Sequence, residues 1–252
     1  MKKSKHALFV LGCLLSVGCA AADLRPPAVP LAQADPYFSL WARGDDLSRL
    51  DTTHWTGYRQ SLRVRVGVDG TLFRLTGCDP QAAAPMPTTS CRVTPTRTFL
   101  GFTNAVAEAE LVFATPALPD DLEAFARPVT YMTLRVRARD GKPHRFSLSA
   151  EITGAMAAPD DAGLMTGSDA LRLADGRAAV RLGLDVQTPL NKSGDQLAPS
   201  WGRAWLVGPR GSMAATGGLS LLARHQTGTI TADLGTAAAA ETGLTLAYDD
   251  SP

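Results

Sequence analysis

The segment TYMTLRVRARDGKPHRFSLSAEI, residues 130–152, decides the fold, because its hydrophobicity alternates with a period of two on both sides of Asp140-Gly141. The apolar positions are Met132, Leu134, Val136 and Ala138 before this pair and Phe146, Leu148, Ala150 and Ile152 after it. A period of two with one apolar face is typical of a half-buried β-strand. Asp-Gly between two such strands favours a β-hairpin, because a type I′ turn needs positive φ at both central residues. The loop is longer than two residues, so the turn type stays open.

The same alternation recurs along the chain. Residues 62–75 form a second predicted hairpin around Asp69-Gly70, and Asp175-Gly176 marks a turn before another alternating run. Further strands are predicted at 93–102, 107–113, 180–186, 204–207, 219–224, 228–234 and 242–248. Helical signals are limited to short turns. Many short strands separated by turns predict an all-β fold, an antiparallel β-sandwich over residues 23–252, with the Arg- and Ser-rich faces of the strands in solvent.

The first 22 residues predict a secretory signal peptide. Three lysines precede an apolar run from Ala7 to Val17, and residues 20–22 are alanines that suit cleavage. The stretch Ser16-Val17-Gly18-Cys19 also resembles a bacterial lipobox, which makes lipidation of Cys19 the alternative to its removal with the signal. We therefore expect an exported protein, periplasmic or extracellular, that meets a membrane only through such a lipid anchor.

Composition excludes one class of partner. The 252 residues contain 25 basic and 24 acidic side chains, which gives no excess of positive charge for a nucleic-acid surface. We expect no nucleic-acid partner.

Two cysteines in the body of the chain predict a disulfide. Cys78 and Cys91 bracket residues 79–90, which are rich in Ala, Pro and Thr and are expected to form a loop. An exported compartment permits disulfides. Closing a loop of this size would stabilise the fold by about 3 kcal/mol.

No sequence motif identifies a catalytic group, and we expect no cofactor. There is no nucleophile elbow, phosphate loop or dinucleotide fingerprint. The histidines His54, His144 and His225 lack the spacing of metal ligands, so no metal site is expected. Asp120 and Asp121 could serve acid–base chemistry, but their position after a proline favours the cap of a short helical turn at 122–125.

Aromatic residues supply the remaining binding candidates. Residues 35–41 include Trp41 in an aromatic cluster, and His54-Trp55 follows. Such side chains pack against one end of a sandwich, or form an exposed platform that stacks against sugars. Trp41, His54, Trp55, Asp120 and Asp121 are the candidate binding residues.

Several blocks resemble the N-terminal β domain of glutaminase A-like proteins. The blocks are RPPAVPLAQADPYFSLW (25–41), HWTG (54–57), VGVDGTLFRLTG (66–77), PTRTFLGF (95–102), LVFATPALPDDLEAFARPVTYMTLRVRARDGKPHRFSL (111–148), WGRAWL (201–206) and LAYDD (246–250). The resemblance implies a supersandwich-like β domain that precedes a helical α/α-barrel domain in exported hydrolases of L-glutamine. It brings no catalytic motif into this region, and Ser200 stands where relatives often have an acidic residue.

The resemblance leaves three functional hypotheses. Because this chain ends at Pro252, we expect a truncated or split, non-catalytic module that needs a separately encoded helical domain. The second is a carbohydrate-, small-molecule- or partner-binding module of the cell envelope. The third is a hydrolase that is active on its own.

Overall fold

The computed structural model describes residues 26–159, 168–191, 199–217 and 222–249. Its strands are β1 (Ala28–Gln33), β2 (Ser39–Arg43), β3 (Thr53–His54), β4 (Leu62–Val68), β5 (Thr71–Arg74), β6 (Ala84–Pro85), β7 (Thr88–Thr94), β8 (Arg97–Thr103), β9 (Ala107–Ala114), β10 (Val129–Ala138), β11 (His144–Thr153), β12 (Asp169–Arg172), β13 (Arg177–Gly183), β14 (Arg203–Arg210), β15 (Met213–Gly217), β16 (Thr227–Ala237) and β17 (Ala239–Asp249). Helical structure in these residues comprises α1 (Leu122–Ala126) and the 3-10 turns Leu47–Arg49, Gly154–Met156 and Ala223–His225.

Two large sheets form the sandwich, which confirms the predicted all-β class. The eight-stranded sheet has the order β12-β13-β14-β17-β10-β9-β8-β7, and the six-stranded sheet has the order β15-β16-β11-β4-β5-β6. A third sheet, β1-β2-β3, is antiparallel throughout. Neighbouring strands are antiparallel except for the short parallel pair of β5 with β6.

The alternating residues of β10 and β11 build the centre of the core, as predicted. Every apolar position of the two strands named above is at most 3% exposed, and all belong to one cluster of buried side chains drawn from all three sheets. Full burial of an aliphatic or aromatic side chain stabilises by roughly 1.5–3 kcal/mol. The inward faces of these two strands therefore hold the sheets together.

The predicted hairpin at Asp140-Gly141 is wrong, although both of its strands exist. β10 pairs with β9 and β17 in one sheet, whereas β11 pairs with β4 and β16 in the other. The longer loop carries the chain across the sandwich, so both apolar faces reach the same core from opposite sides. The turn at Asp69-Gly70 does join paired strands, with φ of 49° and 82°, and Asp175-Gly176 does the same between β12 and β13.

The predicted disulfide between Cys78 and Cys91 is also wrong, because both cysteines are free thiols. Cys91 lies in β7 of the eight-stranded sheet, so the predicted loop is partly strand. Cys78 follows β5 of the six-stranded sheet, and its Sγ donates to Asp51 Oδ2 at 3.1 Å. Cys91 is thus held in the eight-stranded sheet, whereas Cys78 lies in the connection that follows β5 of the six-stranded sheet.

Two further predictions concern the helical turn at Leu47 and the strand at 219–224. A helical turn begins at Leu47 as predicted, and residues 223–225 form a 3-10 turn where the end of a strand was predicted. Residues 219–221 of that predicted strand lie outside the described residues, as do the predicted signal peptide and Cys19.

Part of the outward face of the six-stranded sheet is covered, which corrects the prediction for Arg63 and Arg65, whereas Arg145 of β11 is 69% exposed as predicted. Arg63 and Arg65 of β4 expose only 11% and 7% of their side chains, and Glu151 of β11 exposes 14%. Arg63 forms ion pairs with Glu151 and with Asp79 at 3.1 Å, and Arg65 lies 3.5 Å from Glu151. On β10, by contrast, Arg135 is 52% exposed in its pairs with acidic side chains, as predicted for a solvated face.

This contrast predicts unequal effects of two matched substitutions. Glu151→Gln leaves two nearly buried guanidinium groups short of a carboxylate, and we expect a loss of about 2–3 kcal/mol in the free energy of unfolding. Glu110→Gln removes an exposed partner of Arg135, and we expect a loss below about 1 kcal/mol. Urea unfolding at neutral pH measures both, and equal losses would contradict the burial of the Glu151 network.

Candidate functional site

Trp41, His54 and Trp55 lie in or directly beside the three-stranded sheet, and the ring centroids of His54 and Trp55 are 5.5 Å apart. Leu40, next to Trp41 in β2, pairs with His54 in β3, and Trp55 follows directly. Trp55 is 56% exposed, and its indole N–H donates to the carbonyl oxygen of Pro36 at 2.7 Å. Trp41 is half-buried and donates to Ser39 Oγ at 2.6 Å. Trp55 thus presents a fixed and accessible ring, whereas Trp41 is partly covered.

His54 is a structural part of this cluster. It is 2% exposed, with Nε2 3.0 Å from the carbonyl oxygen of Pro36 and Nδ1 2.8 Å from Thr56 Oγ1. A carbonyl only accepts, so Nε2 carries the proton and donates, while Nδ1 accepts from the Thr56 hydroxyl. Burial lowers the pKa of His54, and the hydrogen bond to Pro36 opposes this only in part. The imidazole therefore stays neutral and fixes the loop beside Trp55.

The neighbouring aromatics divide between packing and exposure. Phe38 is 3% exposed and stacks on Tyr248 of β17, with 4.5 Å between ring centroids. Tyr37 is 37% exposed and meets Trp201 edge-on at 4.7 Å. The interpretation of this cluster as core packing thus holds for Phe38, while Tyr37 and Trp55 stay accessible.

Asp120 and Asp121 lie in a different place, at the start of α1. Asp121 is the N-cap, and its Oδ1 accepts from the backbone N–H of Ala124 at 3.0 Å. This confirms the predicted cap. The structure does not bring the two aspartates to the aromatic cluster by any contact among the described residues, so the five candidates do not form one site.

Sequence reasoning missed an apolar surface around α1. No residue of this helix is buried, and Leu122 and Phe125 are 74% and 53% exposed. Leu118, just before the helix, is 50% exposed. Phe125 also lines a groove of about 260 Å³ between β1 and the turn joining β7 to β8. We call Leu118, Leu122, Phe125 and this groove the α1 surface. Exposed apolar patches of this kind mark interaction sites.

A second unpredicted feature joins two turns at the edge of the sandwich. His144 Nδ1 lies 2.6 Å from Asp69 Oδ2, and His144 Nε2 lies 3.1 Å from Asp140 Oδ1. The hydrogen bonds to Asp69 and then to Asp140 raise the pKa of His144. The imidazole therefore links the β4–β5 turn to the crossover between the sheets, and its two carboxylate partners favour the protonated form.

The described residues contain no group of three or more His, Cys, Asp or Glu side chains placed to hold a metal ion. Among these same residues, no helix has the length and hydrophobicity needed to cross a bilayer.

Comparison with known sequences places this β-sandwich in a family. The family described as "Domain of unknown function (DUF5127)" matches residues 96–247, which include β8 to most of β17. The chain therefore belongs to the DUF5127 family. A second family, "Domain of unknown function (DUF4964)", matches residues 13–85.

One characterised relative is weakly similar. The chain is 27% identical over 143 residues to the protein named Glutaminase A from Aspergillus oryzae (strain ATCC 42149 / RIB 40). The aligned segment covers 54% of this chain and 21% of that protein. The chain thus spans about a fifth of the length of the relative that it matches.

The two histidines predict opposite titration behaviour. His144 should titrate above the usual 6.5 and His54 below it, because one gains carboxylate partners and the other is buried. The stabilisation from His144 is complete below 6.5 and is lost as pH rises through its raised pKa, whereas that from His54 is present above 6.5 and is lost as pH falls through its lowered pKa.

An NMR titration of the imidazole resonances measures the pKa values of His144 and His54. Asp69→Asn should lower the pKa of His144 and leave that of His54 unchanged. A His144 that titrates like His54, or that ignores Asp69→Asn, would contradict the assignment.

Proposed function

We propose that this chain is the β-sandwich module of an exported glutaminase A-related hydrolase, and that it docks onto a helical catalytic domain through the α1 surface. The module itself does not catalyse the reaction. Its role is to bind and support the helical domain, which hydrolyses L-glutamine to L-glutamate and ammonia.

The observation that carries this proposal is the exposure of Leu122 and Phe125 on a helix with no buried residue. A five-residue helix gains little from its own hydrogen bonds, and most helices in proteins are stabilised by packing of an apolar face. Covering these side chains and the adjoining groove would supply that packing. Charged groups surround the patch, with Glu123 and Arg127 paired at 2.7 Å, which suits the polar rim of an interface.

Similarity to glutaminase A supports the choice of partner. Only 21% of that protein is covered by the alignment, so most of its length lies outside the part that resembles this chain. The sequence resemblance to a β domain that precedes a helical domain agrees with this proportion.

Docking is tested by mixing this chain with the proposed helical domain. The gene for that domain is sought in the same genome, where it either continues the reading frame of this chain or is separate. Leu122→Glu with Phe125→Glu should weaken association by about 100-fold or more, because two apolar anchors are replaced by charges. Val186→Glu is the matched control, since Val186 is 75% exposed and lies outside the α1 surface. Ultracentrifugation of the two purified parts measures the affinities.

Any of three results would overturn the proposal. One is equal affinity in the α1 variant and the Val186→Glu control. Another is ammonia release from L-glutamine by purified residues 23–252 alone, above a buffer blank. A genome without any helical region of this kind would also overturn it.

Export is part of the same proposal. Residues 1–22 would direct secretion, and lipidation of Cys19 would anchor the module to a membrane. The intact mass of the protein from its native host distinguishes cleavage after Ala22 from a diacylated Cys19.

A second candidate function, carbohydrate binding, is favoured by the exposed ring of Trp55. Its indole N–H is held by Pro36, so the ring is pre-oriented for stacking against a sugar face. Tyr37, the residue after Pro36, offers a second accessible ring.

If this surface binds sugars, Trp55→Ala should weaken binding of soluble gluco-oligosaccharides by about tenfold, the limit of one stacking contact. Trp41→Ala is the control, because its ring is half-buried and its N–H is bound to Ser39. Isothermal titration calorimetry gives the affinities, and equal effects of both variants would exclude Trp55 as a platform.

A further inference from the structure

A cavity of about 380 Å³ opens at one end of the six-stranded sheet. Three strand ends meet there, namely the start of β4, the end of β11 and the start of β16. The 3-10 turns 154–156 and 223–225 form its walls, and Gly154 N–H donates to the carbonyl oxygen of Gln226 at 2.8 Å. Regular strands and a backbone hydrogen bond between the walls make this a preformed pocket.

The side chains of the pocket are mainly cationic or hydroxylated. Arg59, Arg63, Arg224 and His225 supply the basic groups. Ser61, Thr153 and Thr227 supply hydroxyl groups. Within the described part of the chain, no aspartate or glutamate lines the pocket. Its chemistry therefore selects for an anion that also carries hydrogen-bonding groups.

Arg59 and Arg63 are already paired with carboxylates that do not line the pocket. Arg59 Nη1 is 3.3 Å from Asp51 Oδ2, and the Asp51 side chain is only 8% exposed. Arg63 is paired with Glu151 and Asp79. Because these guanidinium groups already have internal partners, a ligand with a single negative charge matches the pocket better than a dianion.

Arg63 retains an unused donor. Its Nε is buried and makes no hydrogen bond to any described residue, and the nearest carboxylate oxygen, Asp51 Oδ1, is 3.9 Å away. That distance is too long for a hydrogen bond. Asp51 Oδ1 is likewise buried without a hydrogen bond to any described residue, so this donor and this acceptor lie opposite each other at the base of the arginine cluster.

We infer that this pocket binds a small hydroxylated monocarboxylate of the sugar-acid class. Its carboxylate contacts the Arg59 and Arg224 guanidinium groups, which match carboxylate geometry. Its hydroxyl groups exchange hydrogen bonds with Ser61, Thr153 and Thr227. This site is separate from the α1 surface and does not depend on docking of a helical domain.

The test is an NMR titration of the ¹⁵N-labelled chain with D-glucuronate, and with D-glucose as the neutral probe with the same ring. We expect saturable shifts of the backbone amides of Arg59, Thr153 and Thr227 with glucuronate and none with glucose. Inorganic phosphate is the third probe and should bind more weakly than glucuronate. Absence of saturable shifts with glucuronate, equal binding of glucose, or tighter binding of phosphate would overturn the proposal.

Substitutions of Arg59 and Arg224 test whether these two side chains contact the ligand. Arg59→Gln with Arg224→Gln should weaken glucuronate binding by about tenfold or more, because each arginine supplies charged hydrogen bonds. Arg127→Gln is the matched control, since Arg127 and Arg59 expose 58% and 60% of their side chains and each forms an ion pair with one carboxylate. The dispersion of the amide spectrum shows that each variant is folded. A folded double variant with unchanged affinity would overturn the proposal.

Discussion

The buried ion pair between Arg63 and Glu151 is the constraint on which the covered part of the six-stranded sheet depends. Two charges taken out of water require further partners, because an uncompensated buried charge costs several kcal/mol. Asp79 and Asp51 meet that requirement from loops on either side of β4 and β5. The network therefore positions both loops over the outer face of the six-stranded sheet and sets the back wall of the cationic pocket.

Alternation predicted the strands well but could not tell which outward faces are covered. Arg63 and Arg135 occupy equivalent positions, each facing away from the core on a central strand. One is buried beneath distant loops and the other is in solvent. The difference in exposure between Arg63 and Arg135 depends on loops that are distant in sequence. The alternation of polar and apolar residues within a strand carries no information about those loops. The same limit explains the wrong hairpin prediction at Asp140-Gly141. The chain does turn there, but β10 pairs with β9 and β11 pairs with β4, in different sheets.

In the candidate sites, too, features formed by residues close in sequence were predictable, whereas features formed by distant segments were not. The cap at Asp121 depends on residues three positions apart and was predictable, as was the placing of His54 beside Trp55. The pocket is assembled from residues near 60, 153 and 225, which come together only through the order of the strands. The free cysteines follow the same rule, because their spacing along the chain indicated proximity, while Cys91 pairs into the eight-stranded sheet and Cys78 follows a strand of the other sheet. The α1 surface had a sequence signal, namely Leu122 and Phe125 in a short segment bounded by prolines.

The crossovers between the sheets have a consequence for how the chain acquires its structure. β10 and β11 are consecutive but lie in different sheets, and so do β16 and β17; the two corners touch, with Ala138 N–H donating to the carbonyl oxygen of Ala238 at 3.0 Å. Neither sheet is complete until strands from the last quarter of the chain have arrived. Folding is therefore expected to be slow and all-or-none, since contacts between distant segments must form before either half is stable. One edge of β4 pairs with β5, but the other remains unpaired until β11 has formed, and such an edge can associate with other chains before the sandwich is complete.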